Sequence, residues 1–287
     1  MIAENKSSDI FPVEIVKKIA KKLQNYESPD ALARIYKWSL PELPNELRDG
    51  FSEILQKSSN SEILSSYGKT IKLRALLEEY LNTCNAENKK STYEWIVKNW
   101  GGIKTGKDEN LTASIAGAIK THHDNDGKFE FSRIASWSKA LAFQYPERRA
   151  IYDVRVIYSL NWLLFKEGHS GKFFPASEGR NSLINFFSYE QELYKRVLGS
   201  ERIKLVFKEE LNKRMNSEKS MKSSMINSLG KEVYIDQGYA YQNYCNILIE
   251  IANQVFGQND KFGVTKVEMI LFSIADGDIV GEVLGAH

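Results

Sequence analysis

A lysine and an aspartate fourteen positions apart, Lys139 and Asp153, are the residues of this sequence best suited to chemistry. They lie on either side of a short break between two apolar segments, in the stretch SWSKALAFQYPERRAIYDVRV at 136–156. A lysine desolvated enough to lose its proton is a nucleophile, and an ionised carboxylate can orient or deprotonate one. Asp153 also has a structural interpretation, because aspartate is a favoured N-cap of a helix.

The segments that must position these two residues are predicted to be helices, at 131–145 and 153–166. Pro146 ends the first helix, and Asp153 stands at or near the start of the second. Elsewhere apolar residues recur at three- and four-residue steps, as in VEIVKKIAKKLQNY at 13–26, and convincing strands are scarce. The sequence therefore predicts an all-α, or nearly all-α, fold.

Composition excludes several classes of protein. The 287 residues carry a net charge of +2, so any contact with nucleic acid must come from a local patch. Cys84 and Cys245 are too few for a disulfide framework or a four-cysteine zinc site. The stretch THHDNDGKFEF departs from a calcium loop, because His122 and Arg133 fall where carboxylates are needed. Phosphate-loop, nucleophile-elbow and HExxH motifs are absent, and we expect neither a metal nor a cofactor.

The amino-acid composition changes near Tyr93, where tryptophan and glycine become more frequent. We therefore expect an N-terminal helical region at 1–90 and a second helical region at 91–287, which can form one compact unit. No apolar run approaches the roughly 18 residues that a membrane helix needs. The low cysteine count and the absence of a signal pattern favour a reduced, cytoplasmic chain, which we expect to be a monomer.

Two further segments bear on partners. The stretch 195–222 carries nine lysines and arginines against four glutamates, which suits a phosphate backbone or equally a solvated helix face. The long loop at 166–181 places Lys172 and Arg180 near Phe173 and Phe174. Aromatic side chains beside cations are suited to stacking on bases, although two phenylalanines can also anchor a loop in the core.

The lysine and aspartate stretch resembles the helix-hairpin-helix DNA glycosylases, the superfamily of endonuclease III and 8-oxoguanine glycosylase. In that family a hairpin precedes a helix that carries a lysine in the bifunctional members, and an aspartate opens the next helix. The matching residues are Ser138, Lys139, Pro146, Ile151, Asp153 and Val156. WGGI at 100–103 and the segments YQNYCNILIEIA and VEMILF extend the resemblance over roughly 93–287, as in a diverged bacterial member.

The sequence also departs from this family. The family hairpin typically contains glycines, as in LPGVG, whereas RIASWS at 133–138 contains none. The lysine-to-aspartate spacing is shorter than usual, and the carboxyl-terminal cysteines that hold an iron–sulfur cluster in some members are absent. A loop that offers backbone amides to a DNA phosphate must therefore differ here.

The resemblance implies a two-lobed helical glycosylase fold acting on double-stranded DNA. Asp153 would be essential for cleaving the N-glycosidic bond of a flipped-out modified or damaged base, leaving an abasic site, and Lys139 would decide whether strand cleavage follows. Base excision in defence against phage DNA with modified cytosines is one such role. The residues expected to contact the base or the DNA are Trp137, Ser138, Tyr152, Arg155, Lys172, Phe173, Phe174 and Arg180.

Two other classes of function fit the same residues. One is a helical DNA-binding module without catalysis, and the other is a protein-interaction domain in which Asp153 only caps a helix. The glycosylase interpretation requires the side chains of Lys139 and Asp153 to converge on one open cleft with a basic rim. The other two do not.

Overall fold

The computed structural model describes residues 10–56, 65–104, 108–124, 127–177, 181–214 and 229–285. It is 73% helical, and its described residues form no strand or sheet, so the prediction of an all-α fold is confirmed. KEVYIDQ, a candidate strand, contributes an isolated parallel bridge between Tyr234 and Phe173.

The described helices are numbered here in chain order. They are α1 (Val13–Leu23), α2 (Pro29–Ile35), α3 (Asn45–Gln56), α4 (Ser66–Thr83), α5 (Ala86–Trp95), α6 (Asp108–Asp124), α7 (Ile134–Gln144), α8 (Val154–Lys166), α9 (Ser182–Phe186), α10 (Glu190–Arg214, broken at Gly199), α11 (Gln237–Val255), α12 (Gly263–Ile274) and α13 (Val280–Val283). Two π-helical segments, Ile96–Trp100 and Ala275–Ile279, follow α5 and α12.

Local sequence explains several of these boundaries. The segment SPDALARIYKWSL predicts a helix with Ser28 or Asp30 as its cap and Pro29 near its start. Ser28 caps α2 by accepting a hydrogen bond from the Ala31 N–H, and Pro29 is the first helical residue. The glycine pair of WGGI predicts the end of a helix, and Gly101 follows the π-helical segment. The segment NLTASIAGAIKTHH predicts a helix capped by Asn110, which is wrong, because α6 begins at Asp108 and Asn110 lies inside it.

One continuous core joins the regions predicted at 1–90 and 91–287. Helix α1 packs on α11, and α11 packs on α12, which in turn packs against α8. Helix α4 and helix α6 both pack against α7, so α7 has neighbours from both regions. The helices that carry Lys139 and Asp153 are therefore packed against elements of both regions.

Among the described residues, none of the helices combines the length and apolar character that crossing a bilayer requires.

Candidate active site

Lys139 lies in α7, a helix that is buried along almost its whole length. Every residue of α7 from Ser136 to Gln144 is buried, and Lys139 itself is 5% exposed. Its ammonium group donates a hydrogen bond to the carbonyl of Ala135, one helical turn earlier, at 2.8 Å. Burial lowers the pKa of Lys139, although the carboxylates of Asp153 and Glu268 act in the opposite direction. A lowered pKa favours the neutral amine, which is the nucleophilic form.

Gly101 provides the space that the lysine side chain occupies. A Cβ atom at position 101 would lie 2.6 Å from Cδ and 2.7 Å from Cε of Lys139. These distances are far below normal contact, so a larger residue would displace the aliphatic part of the lysine. Trp100 and Gly101 belong to the WGGI segment, which therefore packs directly against the lysine.

Asp153 caps helix α8, as the sequence predicts. Its Oδ1 atom accepts a hydrogen bond from the Arg155 N–H at 2.9 Å, which satisfies a free amide in the first turn. No described residue donates a hydrogen bond to Oδ2. Asp153 is also only partly buried, so the cap leaves one carboxylate oxygen for a ligand.

The loop between α7 and α8 is anchored to both of its neighbouring elements. The Tyr152 N–H donates to the hydroxyl of Ser138 at 3.0 Å, which ties the residue before Asp153 to the residue before Lys139. The Ile151 N–H donates to Oε2 of Glu268 on α12 at 2.8 Å. These two bonds fix the position of the backbone beside Asp153 relative to the helix that carries Lys139.

Lys139 and Asp153 line the same small cleft, which we call the lysine–aspartate cleft. Its volume is about 40 Å³, and it opens between α7, the start of α8 and α12. The residues that line it are Tyr36, Trp38, Trp100, Gly101, Lys139, Ile151, Asp153, Val156, Glu268 and Phe272. The structure thus brings together the two residues that the sequence singles out, and surrounds them with aromatic rings.

Aromatic side chains from three distant segments form one wall of this cleft. The ring of Trp38 lies 5.6 Å from those of Trp100 and Phe272, and its indole N–H donates to the carbonyl of Trp100 at 3.2 Å. The indole N–H of Trp100 is buried and has no hydrogen-bond partner among the described residues. A buried donor without a partner is unfavourable, so this N–H would gain a hydrogen bond if a movement of the cleft wall exposed it to an acceptor.

A buried ion pair supports the floor of the cleft. Arg74 on α4 is fully buried, and its Nη2 donates to Oε1 of Glu268 at 2.7 Å. Arg74 also donates to Thr265 at 3.0 Å and lies over the ring of Phe143. Burial raises the pKa of Glu268, while the positive charge of Arg74 acts to lower it. The pair joins α4 to α12 directly behind the loop that carries Asp153.

Glu268→Gln tests this support. We expect the variant to lose about 3 kcal/mol of stability, because it leaves the buried guanidinium of Arg74 without its carboxylate. Chemical denaturation measures the loss, and Glu250→Gln on the half-buried face of α11 is a control with the same change. A Glu268→Gln protein as stable as the wild type would show that the ion pair does not hold the loop.

Comparison with known proteins assigns this chain to no family. A scan against models of protein families, a search of curated proteins and a search of solved structures each returned no match. Any functional conclusion therefore depends on the arrangement of the residues themselves. The resemblance to helix-hairpin-helix glycosylases stays a prediction from the sequence.

The four aromatic residues expected to stack on a base lie in the core. Trp137 is 1% exposed and stacks on Phe129, and its N–H donates to the carbonyl of Ser132. Tyr152, Phe173 and Phe174 are fully buried, and Tyr152 donates its hydroxyl to the carbonyl of Pro175. None of these rings has a face open to a base in this arrangement, so we leave them out of the proposed site.

The four polar residues expected to contact DNA differ in their surroundings. Ser138 is fully buried and positions the loop through Tyr152, while Lys172 is exposed and donates to the carbonyl of Lys231. Arg155 lies next to the cleft over the ring of Phe272, but its charge is paired with Asp276 at 2.9 Å. Arg180 lies outside the described residues.

The basic stretch predicted from 195 onward is partly neutralised. Lys195 pairs with Glu192, Lys204 with Glu201, and Arg202 with Glu232, all at 3.2 Å or less. These are exposed pairs, which contribute little to stability and still leave the cations accessible to solvent. The described part of this helix is a solvated face of mixed charge, and it supplies no basic rim to the lysine–aspartate cleft.

Proposed function

We propose that this protein is a DNA glycosylase that cleaves the N-glycosidic bond of a modified or damaged base. The observation that carries the proposal is that Lys139 and Asp153 line one cleft with an aromatic wall. The order of the elements along the chain also agrees with the helix-hairpin-helix pattern. A helix, a turn and the helix that carries Lys139 precede Asp153, which opens the next helix. The shared cleft is thus present, whereas Lys139 is the only lysine or arginine among the described residues that line it, so a basic rim is not formed by these residues.

Asp153 stabilises the positive charge that develops on the deoxyribose as the base leaves. Cleavage of a glycosidic bond passes through an oxocarbenium-like transition state, to which a nearby carboxylate is complementary. Oδ1 is held by the Arg155 N–H, and Oδ2 is free to face the sugar. The cap bond uses only Oδ1, so the structural role and the catalytic role use different oxygens of the same carboxylate.

Lys139 is the nucleophile in this proposal. The neutral amine attacks C1′ as the bond between C1′ and the base nitrogen breaks, and the base departs with the bonding electron pair. The attacking nitrogen then loses a proton and the departed base takes one up. The bond between C1′ and O4′ breaks next, O4′ becomes a hydroxyl by taking a proton from water, and the resulting Schiff base permits cleavage of the strand. Where Lys139 keeps its proton, water attacks instead and the product is an abasic site.

The base must enter a cleft that is too small for it in this arrangement. About 40 Å³ is little more than the volume of one water in the liquid. Trp38 is partly exposed, and it lies in the segment 36–44, which is not helical. We propose that this segment moves and that the ring of Trp38 then stacks on the flipped base, while the Trp100 N–H binds one of its acceptors.

The substrate class follows from the chemistry and not from a known relative. Oxidised, alkylated or mismatched bases are candidates, as are the modified cytosines of phage DNA, in which case the protein acts in anti-phage defence. We propose a cytoplasmic location for such an activity, which a DNA substrate and the two free cysteines would suit.

The proposal is tested by incubating the protein with a panel of duplexes that each carry one modified base. Alkali converts every abasic site into a strand break, which is read on a denaturing gel. We expect breaks at one class of modified base and none in the unmodified duplex. If the protein binds the duplexes but breaks appear in none, it is a DNA-binding module without catalysis.

A further inference from the structure

A second, larger cleft lies on the other side of the same loop. It has a volume of about 890 Å³ and is open and polar, and we call it the polar cleft. Residues 147–149 of the loop line it together with the C-terminal end of α6, one face of α11 and the start of α12. The loop therefore faces the polar cleft with Arg149 and the lysine–aspartate cleft with Ile151 and Asp153.

Arg149 is a buried cation whose described partners are all neutral. It is 5% exposed, and its guanidinium donates to Nδ1 of His122 at 3.1 Å and to Oε1 of Gln242 at 2.8 Å. It also lies over the rings of Phe129 and Tyr241. No described carboxylate forms an ion pair with it. A buried charge without a counterion is strongly unfavourable, so a partner anion would stabilise this arrangement.

Arg148 adds a second positive charge at this end of the cleft. It is exposed and has no described acidic partner. His123 also lines the cleft, with its Nε2 3.1 Å from the hydroxyl of Tyr145. Burial and the neighbouring charge of Arg149 lower the pKa of His122 to about 4, so it is neutral at pH 7. Since its Nδ1 accepts from Arg149, the ring proton is on Nε2, which adds a hydrogen-bond donor.

Two acidic residues, Glu147 and Asp260, also line the polar cleft. Asp260 pairs with Lys266 at 2.6 Å, at the α12 end. Glu147 is exposed and precedes Arg148 in the chain, and it forms no ion pair with a described residue. None of the described carboxylates is paired with the two arginines.

We propose that the Arg148, Arg149 and His123 end of the polar cleft binds a phosphate group. Guanidinium groups present parallel N–H donors that match phosphate oxygens, and a doubly or singly charged oxyanion supplies the missing counterion. The phosphate belongs either to a nucleic-acid strand or to a small phosphorylated ligand. Asp153 follows Arg149 by four positions, so their Cα atoms lie at most about 14 Å apart, which is within reach of a few nucleotides. This site does not depend on the proposed glycosylase activity.

Phosphate titration tests the site. Sodium phosphate replaces chloride at constant ionic strength, and binding is followed by the melting temperature and by phosphorus NMR. We expect saturable binding to the wild type and about tenfold weaker binding to Arg148→Gln and to His123→Gln, because each loses a donor to the anion. Arg148 is exposed, so its replacement leaves the fold intact. Lys195→Gln, on the exposed face of α10, is the control and binds like the wild type.

A short single-stranded oligothymidylate then identifies the source of the phosphate. Displacement of inorganic phosphate by the oligonucleotide assigns the site to a nucleic-acid strand, and failure to displace it assigns the site to a small ligand. Absence of saturable phosphate binding, or equal binding by wild type and both variants, overturns the proposal. Asp153→Asn leaves phosphate binding unchanged, so this outcome and the outcome of the base-excision assay are independent.

Discussion

Asp153→Asn is expected to lower the rate of base release by about 10³-fold while leaving the protein folded. The carboxylate stabilises charge that develops only in the transition state, and removing one such group typically lowers the rate by about 10²–10³-fold or more. Asparagine caps a helix about as well as aspartate, so the bond to the Arg155 N–H persists. Gel-based measurement of abasic sites under single-turnover conditions gives the rate, and circular dichroism monitors the fold.

A second cap of the same design provides the matched control. Asp236 opens α11 and accepts from the Gly238 N–H at 2.9 Å, two residues on, as Asp153 does from Arg155. Asp236→Asn makes the same chemical change at an exposed cap away from the cleft, and we expect it to keep full activity. Full activity of Asp153→Asn would show that Asp153 only caps α8, and unfolding of that variant would favour the same structural role.

Lys139→Met is expected to abolish covalent trapping on DNA. Borohydride reduces a Schiff base to a stable amine, so a lysine nucleophile leaves the protein attached to the substrate. Methionine fills a similar volume without a nucleophile or a charge. Denaturing electrophoresis with a labelled duplex should show a shifted adduct for the wild type and none for the variant. Base release by the wild type without any adduct would show that water, and not Lys139, attacks the sugar.

Lys139→Met is also expected to change how the free energy of unfolding depends on pH. Because burial lowers the pKa of Lys139 from its ordinary value of 10.5, the unfolded state binds more protons than the folded state between the two pKa values. The stability of the wild type relative to Lys139→Met therefore rises with pH across that window and is lowest below it. A difference that does not change up to pH 10.5 would contradict the buried, desolvated position of Lys139.

Local signals in the sequence predict the helices that carry the site. Pro146 ends the lysine helix, which closes at Gln144, and Asp153 is the residue type that begins a helix, which starts at Val154. Both boundaries depend on backbone chemistry within a few residues. The convergence of Lys139 and Asp153 on one cleft depends in addition on the loop bonds to Ser138 and Glu268, which sequence spacing does not reveal.

The rest of the site comes from residues that are far apart in the chain. Arg74 and Glu268 are 194 positions apart, and an arginine in a helix with exposed and buried positions is usually a surface residue. Trp38 and Phe272 gave no signal that distinguished them from core aromatics. For Phe173 and Phe174 the sequence was misleading. Aromatic residues beside cations in a long loop suggest a binding surface, whereas here both rings are fully buried.

Direct detection of the released base tests the central proposal most directly. The protein is incubated with a duplex that carries one modified base, and mass spectrometry of the small-molecule fraction identifies any free base. We predict the intact modified base from wild type and Asp236→Asn, about 10³-fold less from Asp153→Asn, and none from the unmodified duplex. Absence of free base from every modified duplex, or equal release by the wild type and Asp153→Asn, would contradict the assignment of the lysine–aspartate cleft as a glycosylase active site.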